Sequence, residues 1–349
     1  MTQTTSKYII IGAGLSGLTS GYLLDQQGEK DFRILESRAR IGGRIHTKHG
    51  IDFGATWFQN HHEQVITLLN TLGIPKFNQY TQGKSVLVYS SMAPAHEFES
   101  DPSVPSAYRI SGGSKTLIET LARPIKDRID CNTFLEAIAE TVHGLRITTD
   151  KGIYEAEQVI ITIPPKIAQH IHYTPELSES FMRAMDNTHT WMSNAIKVGM
   201  QFERPFWREK NFSGTVIGQI GAVTELYDHT SNDEHTFTLM GFVNEGLREL
   251  TAARRKERIL DYLSKYLGDE VRNYVVYEEK DWSQDRHTSD LNIKSVYLSP
   301  EYGNPIYQQS FMHGKLIFSG AETASHHGGY MDGAIQSGIV ATERLLGKQ

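Results

Sequence analysis

The residues with the most definite chemical meaning stand near the start of the chain. Gly12-Ala13-Gly14-Leu15-Ser16-Gly17 follows the strand-like run Lys7–Ile11 and precedes Leu18–Gln26, whose apolar residues recur at helical spacing. In a strand–turn–helix of this kind the glycines have separate tasks. Gly12 permits the tight turn, Gly14 lets the backbone approach a pyrophosphate, and Gly17 allows the helix to close on the strand. The helix N-terminus then points unpaired N–H groups at the phosphates. A second strand, Asp31–Leu35, ends in Glu36, placed to accept a hydrogen bond from a ribose 2′-OH and to repel a 2′-phosphate. Arg44 follows Gly42-Gly43 and could donate to the pyrophosphate without side-chain obstruction. Glu322 follows the apolar strand Lys315–Phe318 and so falls at a strand's carboxyl end, where open α/β sheets bind ligands. These residues predict a dinucleotide site.

Other reactive residues say less by themselves. From spacing alone, Lys197 reads as a lysine on a half-exposed strand, because Ala195, Lys197 and Gly199 share one face. The 15 histidines show no metal-ligand spacing. His61-His62 and His326-His327 are adjacent pairs, and sequence neighbours do not usually reach one ion, so they read as surface or pocket lining and no metal is expected. Cys131 is the single cysteine, which excludes an intramolecular disulfide and fits a reducing compartment. A net charge of −6 argues against a nucleic-acid surface. The apolar runs fall far short of the roughly 20 residues of a membrane helix, so a soluble, cytoplasmic protein is expected.

The elements that position these residues indicate an α/β (α+β mixed) chain. A Rossmann-like nucleotide domain is expected from 1–75, 110–186 and 284–349. A substrate domain with a mostly antiparallel sheet is expected from 76–109 and 187–283, where Lys197–Phe202, Thr215–Ala222 and Thr236–Phe242 alternate. Arg254–Leu267 is a helix candidate with Ile259, Leu260, Leu263 and Leu267 on its apolar face, and Asp332–Leu346 has the pattern of a final helix.

Further motifs recur in an informative order: Gly42-Gly43-Arg44, Asp52-Phe53-Gly54-Ala55-Thr56-Trp57, Ser111-Gly112-Gly113-Ser114, and Val159–Ile163 running into Pro164-Pro165. Ile196-Lys197-Val198 comes next with Pro205-Phe206-Trp207 downstream, then Gly320-Ala321-Glu322-Thr323 and Gly328-Gly329-Tyr330-Met331-Asp332-Gly333-Ala334. In this order the chain resembles the flavin-containing amine oxidases of the monoamine oxidase type, across almost its whole length. The resemblance implies FAD as the cofactor, held by Gly12, Gly14, Gly17, Glu36, Gly43, Arg44, Gly54, Ala55, Thr56, Trp57, Leu135, Gly320, Glu322 and Met331. Glu322 would meet the ribityl or phosphate part. With Met331 at the start of the last helix, the helix dipole would favour the reduced flavin.

By the same resemblance Lys197 is a catalytic residue holding a water near the flavin, and Tyr330 is one wall of an aromatic cage around the amine. The implied reaction oxidises an amine to an imine by hydride transfer to flavin N5, with O2 or another electron acceptor completing the cycle. The pattern is broken after Trp282. The segment Trp282–Asn292 carries no second tyrosine and no flavin-linking cysteine, so FAD is expected to be held without a covalent bond. Asn292 and His287 are expected instead to offer hydrogen bonds to a larger or more polar amine. Trp57, Trp191 and Phe206 read as core or pocket lining. Residues 76–109 are short for the family's cap, which implies a more open cavity or closure by a second subunit in a homodimer. Two alternatives stay open: an FAD enzyme acting on a C–C bond, and a flavin-binding protein without turnover.

Overall fold

The structure is a computed structural model that describes residues 3–101, 103, 107–290 and 302–348. Its first strand, β1 (Gln3–Ile11), lies between two parallel neighbours, β2 (Phe32–Leu35) and the long strand Gly152–Ile161, which in turn pairs in parallel with Leu316–Phe318. The register sets Ile11 beside Leu35 and Ile161, and Ile161 beside Phe318. All four strands therefore end at one edge, and the loops leaving them carry Gly12–Gly17, Glu36, Thr162–Pro164 and Ser319–Glu322. This is the edge at which parallel α/β sheets gather their ligands.

Towards that edge the strands are apolar, at Ile9–Ile11, Ile34–Leu35, Val159–Ile161 and Leu316–Phe318, because both of their faces are covered there. Ile10, Ile34, Ile160 and Ile317 pack with helix α1 (Leu15–Gln26) and the C-terminal helix Met331–Leu345. The alternate residues Ile9, Leu35, Val159, Ile161 and Leu316 pack with Phe181 and Tyr307 on the other face. The close approach of α1 depends on Gly17, where a Cβ would stand 2.0 Å from the Gly12 carbonyl oxygen, and Gly12 itself turns with φ at +104°.

The second sheet has seven strands, in the order Val276–Asp281, Ile196–Phe202, Phe237–Val243, Val223–Asp228, Phe212–Gly218, Lys84–Val88 and His96–Glu99. It is antiparallel except where Phe212–Gly218 runs parallel to Lys84–Val88. One face is closed by the helix Ala252–Leu267, which buries Ile259, Leu260, Leu263 and Leu267, the four residues its periodicity marks, and is capped by the Thr251 hydroxyl. The other face turns towards Ile51–Phe53: a Cβ on Gly199 would meet Ile51 at 2.6 Å. Among the described residues no helix is long and apolar enough to cross a membrane.

Candidate functional site

A cavity of about 720 Å³ follows the carboxyl edge of the parallel strands. Gly12, Gly14, Glu36, Gly43, Arg44, Ala55, Leu135, Gly320, Met331, Tyr330 and His287 line it. Gly17, Gly54, Thr56, Trp57, Glu322 and Lys197 stand behind that lining, and Asn292 lies outside the described residues.

At one end, the Glu36 carboxylate accepts the Ala13 N–H on one oxygen and the Arg38 N–H on the other, both at 2.9 Å. A carboxylate offers about four lone-pair directions, so this buried group keeps acceptor capacity for a diol. Gly14 opens the floor beside it: a Cβ there would meet nothing within 4 Å. Further along, Ser16 belongs to a hydroxyl chain, with Oγ atoms of Ser16 and Ser319 2.8 Å apart and those of Ser319 and Ser337 2.9 Å apart.

Arg44 and Glu322 are found together. The guanidinium grips the carboxylate with both terminal nitrogens, Nη2 to Oε2 at 2.8 Å, and Nη1 also donates to Thr190 Oγ1 at 2.6 Å. Sequence reading assigned the two separate ligand contacts. Their pairing instead neutralises a glutamate that is 1 % exposed and leaves Arg44 with Nε and one Nη2 hydrogen for a ligand. At the far wall Met331 opens the C-terminal helix, whose first helical bond runs from the Ala334 N–H to the Tyr330 carbonyl. The N–H groups of Met331, Asp332 and Gly333 therefore precede the helical ladder.

Lys197 corrects the reading from spacing. Its face of the strand is the one covered by residues 51–56, and it is 1 % exposed. Nζ donates to the carbonyls of Asp52 (3.1 Å) and Gly54 (2.7 Å) and to Thr56 Oγ1 (3.1 Å), so it clasps the loop on both sides of the cavity-lining Ala55. The Trp57 and Phe242 rings stand 5.3 and 4.8 Å from the ammonium. Burial lowers its pKa to about 7, against the opposing pull of the Asp52 and Glu225 charges. Strand register sets Lys197 beside Phe242 and Phe242 beside Glu225 on one face, and Tyr227 donates to Glu225 at 3.0 Å.

Two other expectations change. His287 sits at the Glu36 end, against Phe134 (6.2 Å between rings), because Arg38 ties Asp285 and Thr288 to that end. Phe206 is a core residue beside Trp207 and Phe202. Trp191, which spacing could not separate from core, lines the cavity at 42 % exposure and donates through Nε1 to the Gly329 carbonyl at 3.4 Å. Asp332 was overlooked: Oδ1 accepts the N–H groups of Gln64 and Val65 in helix α2 (Glu63–Thr71), and Oδ2 meets His327 Nδ1 at 2.7 Å. Its place inside the Gly-Tyr-Met-Asp-Gly run was the only signal.

The family described as flavin containing amine oxidoreductase matches residues 15–91 and 87–346. The chain belongs to that family, whose cofactor is FAD. Amine oxidase [flavin-containing] B of Sus scrofa is 30% identical over 247 residues, covering 67% of this chain and 46% of that one. The chain thus spans about half the length of several curated relatives that it matches. A probable flavin-containing monoamine oxidase A of Dictyostelium discoideum is 22% identical and is covered over 98% of its length, with 99% of this chain. Among solved structures, a putrescine oxidase bound to putrescine has a TM-score of 0.86 at 22% identity, covering 99% of this chain and 100% of that one. Cyclohexylamine oxidase from Brevibacterium oxydans has 0.85 at 18%, covering 98% and 99%. These likenesses show the fold: an α/β sheet with parallel central strands joined to a mostly antiparallel sheet.

Proposed function

We propose that the protein oxidises an amine with FAD held in the 720 Å³ cavity. The residues present fit that group. Glu36 keeps acceptor sites for the ribose diol, the bare Gly14 backbone and the α1 N-terminus suit the pyrophosphate, and the first turn of the C-terminal helix suits the electron-rich edge of the flavin. When bound, the flavin supplies the redox chemistry, taking a hydride equivalent from the carbon beside nitrogen, after which O2 as acceptor would yield H2O2.

The chain's own part is to orient the amine and manage protons. Tyr330 and Trp191 present aromatic surface at the mouth, where a ring face attracts an ammonium and an amine lone pair is steered by ring dipoles. Lys197 carries this reading: a lysine with pKa near 7, buried among two rings behind the cavity lining and clasping the loop around the lining residue Ala55, holds or passes a proton at neutral pH. Glu225, on the same sheet face and roughly two strand spacings (about 10 Å) away, suits a second cationic group, so the reading favours a diamine over a simple monoamine.

The test is product identification by mass spectrometry after incubating the protein with putrescine or cyclohexylamine in air. An aldehyde or ketone with matching H2O2 is expected. Glu225→Gln should raise KM for the diamine about tenfold, the equivalent of about 1.4 kcal/mol, and leave the monoamine's KM in place. Equal effects on both amines would remove Glu225 from substrate recognition.

A further inference from the structure

Three histidines converge beside the mouth of the cavity. His61 and His62 lie on the turn that enters α2, and His327 comes from the loop before the C-terminal helix. Their ring centroids are 4.6, 4.9 and 5.2 Å apart, and one nitrogen from each lies within 4.8 Å of the others. We propose that His61, His62 and His327 form a binding site for a divalent transition-metal ion of the zinc class.

Four observations support the site. His327 holds a left-handed backbone, φ +48°, a conformation that non-glycine residues adopt rarely and that the surrounding loop must hold in place. Its Nδ1 faces Asp332 Oδ2 at 2.7 Å, the carboxylate–histidine arrangement that fixes a metal-ligating imidazole and leaves Nε2 for the ion. Asp332 is itself fixed, because its other oxygen takes the N–H groups of Gln64 and Val65. Finally, His62 is 3 % exposed, so its ring is held by packing beside the other two and not by chance on the surface.

The chemistry narrows the ion. Three imidazoles with an open fourth position for water suit zinc, copper or nickel and not magnesium or calcium. Metal–nitrogen bonds of about 2.0–2.1 Å require the nitrogens to draw closer by roughly 1 Å, which the exposed His61 supplies by rotating its side chain. His62 Nδ1 now accepts the Gln59 N–H at 3.3 Å. Binding exchanges that long hydrogen bond for a metal bond, at the same nitrogen or after a change of tautomer. The adjacency that argued against a shared ion is overcome because the turn brings the His61 and His62 rings to 4.6 Å of each other, with the third ligand supplied by a distant loop. His62 also lies 5.1 Å from the Tyr330 ring, and the Tyr330 N–H donates to the His327 carbonyl at 3.2 Å. An ion here would fix the tyrosine at the mouth.

The experiment is calorimetric titration of chelator-treated, FAD-loaded protein with zinc sulfate, with magnesium as the control. One zinc per chain at micromolar affinity or tighter is expected, weakened at least tenfold by His61→Ala and by His327→Asn. Asparagine tolerates the positive φ at position 327, and His61 is exposed, so neither change threatens the fold. No saturation below millimolar zinc, or wild-type affinity in both variants, would overturn the site. No amine is present, so the result stands or falls independently of the proposed oxidation.

Discussion

Lys197 is the buried cation held against the loop that lines the cavity. All three donors of its ammonium are taken by oxygens of the 52–56 loop, yet burial still brings its pKa to about 7. A step that uses the neutral amine should therefore rise with pH through about 7. Lys197→Met should retain FAD, lose that inflection, and slow flavin reduction or reoxidation by roughly a hundredfold. Stopped-flow spectroscopy across pH separates the two half-reactions, and unchanged kinetics in both would dismiss the role. Stability has its own sign. The folded pKa lies below the unfolded one near 10.5, so the unfolded chain binds the extra proton between those values. The contribution of Lys197 is complete above about 10.5 and is lost as pH falls through about 7. Glu36 was legible from its distance to the glycine turn. The burial of Lys197 was not, since alternation tells which residues share a face and not what covers it.

At the scale of elements, α1 illustrates how one missing atom fixes a helix. Gly17→Ala places a methyl 2.0 Å from the Gly12 carbonyl, so the helix must move off β1. A loss of about 1–3 kcal/mol is expected, along with weaker FAD binding, read by denaturant titration and by flavin titration of the apoprotein. Wild-type values for both would show that the close approach is dispensable. The buried parallel strands and the helix Ala252–Leu267 were readable because burial on two faces, or on one helical stripe, writes itself into the residue pattern. The placement of His287 was not. It depends on Arg38 reaching Asp285 and Thr288, a contact between distant segments that no local period records.

For the molecule as a whole, the ordered motifs along the chain identified the family, and the two sheets agree with an α/β nucleotide fold joined to a mostly antiparallel one. What sequence left open was how the far segments meet: the Arg44–Glu322 pair, the Trp191 wall and the three-histidine cluster each join residues more than a hundred positions apart in the chain. The sole cysteine, Cys131, follows the strand Ile129–Asp130 near the Glu36 end, away from the mouth where Tyr330 stands. Acid denaturation followed by filtration should therefore free all of the flavin, and flavin retained on the precipitated chain would contradict a non-covalent site.

If the protein oxidises amines with FAD, an amine must reduce the flavin in this cavity. The most direct measurement is anaerobic mixing of the FAD-loaded protein with putrescine, followed by the oxidised-flavin absorbance. Bleaching at a rate that saturates with amine is expected, with recovery of the absorbance when O2 is admitted. An absorbance unchanged by putrescine, by cyclohexylamine and by a wider amine panel, in protein that holds stoichiometric FAD, would contradict it.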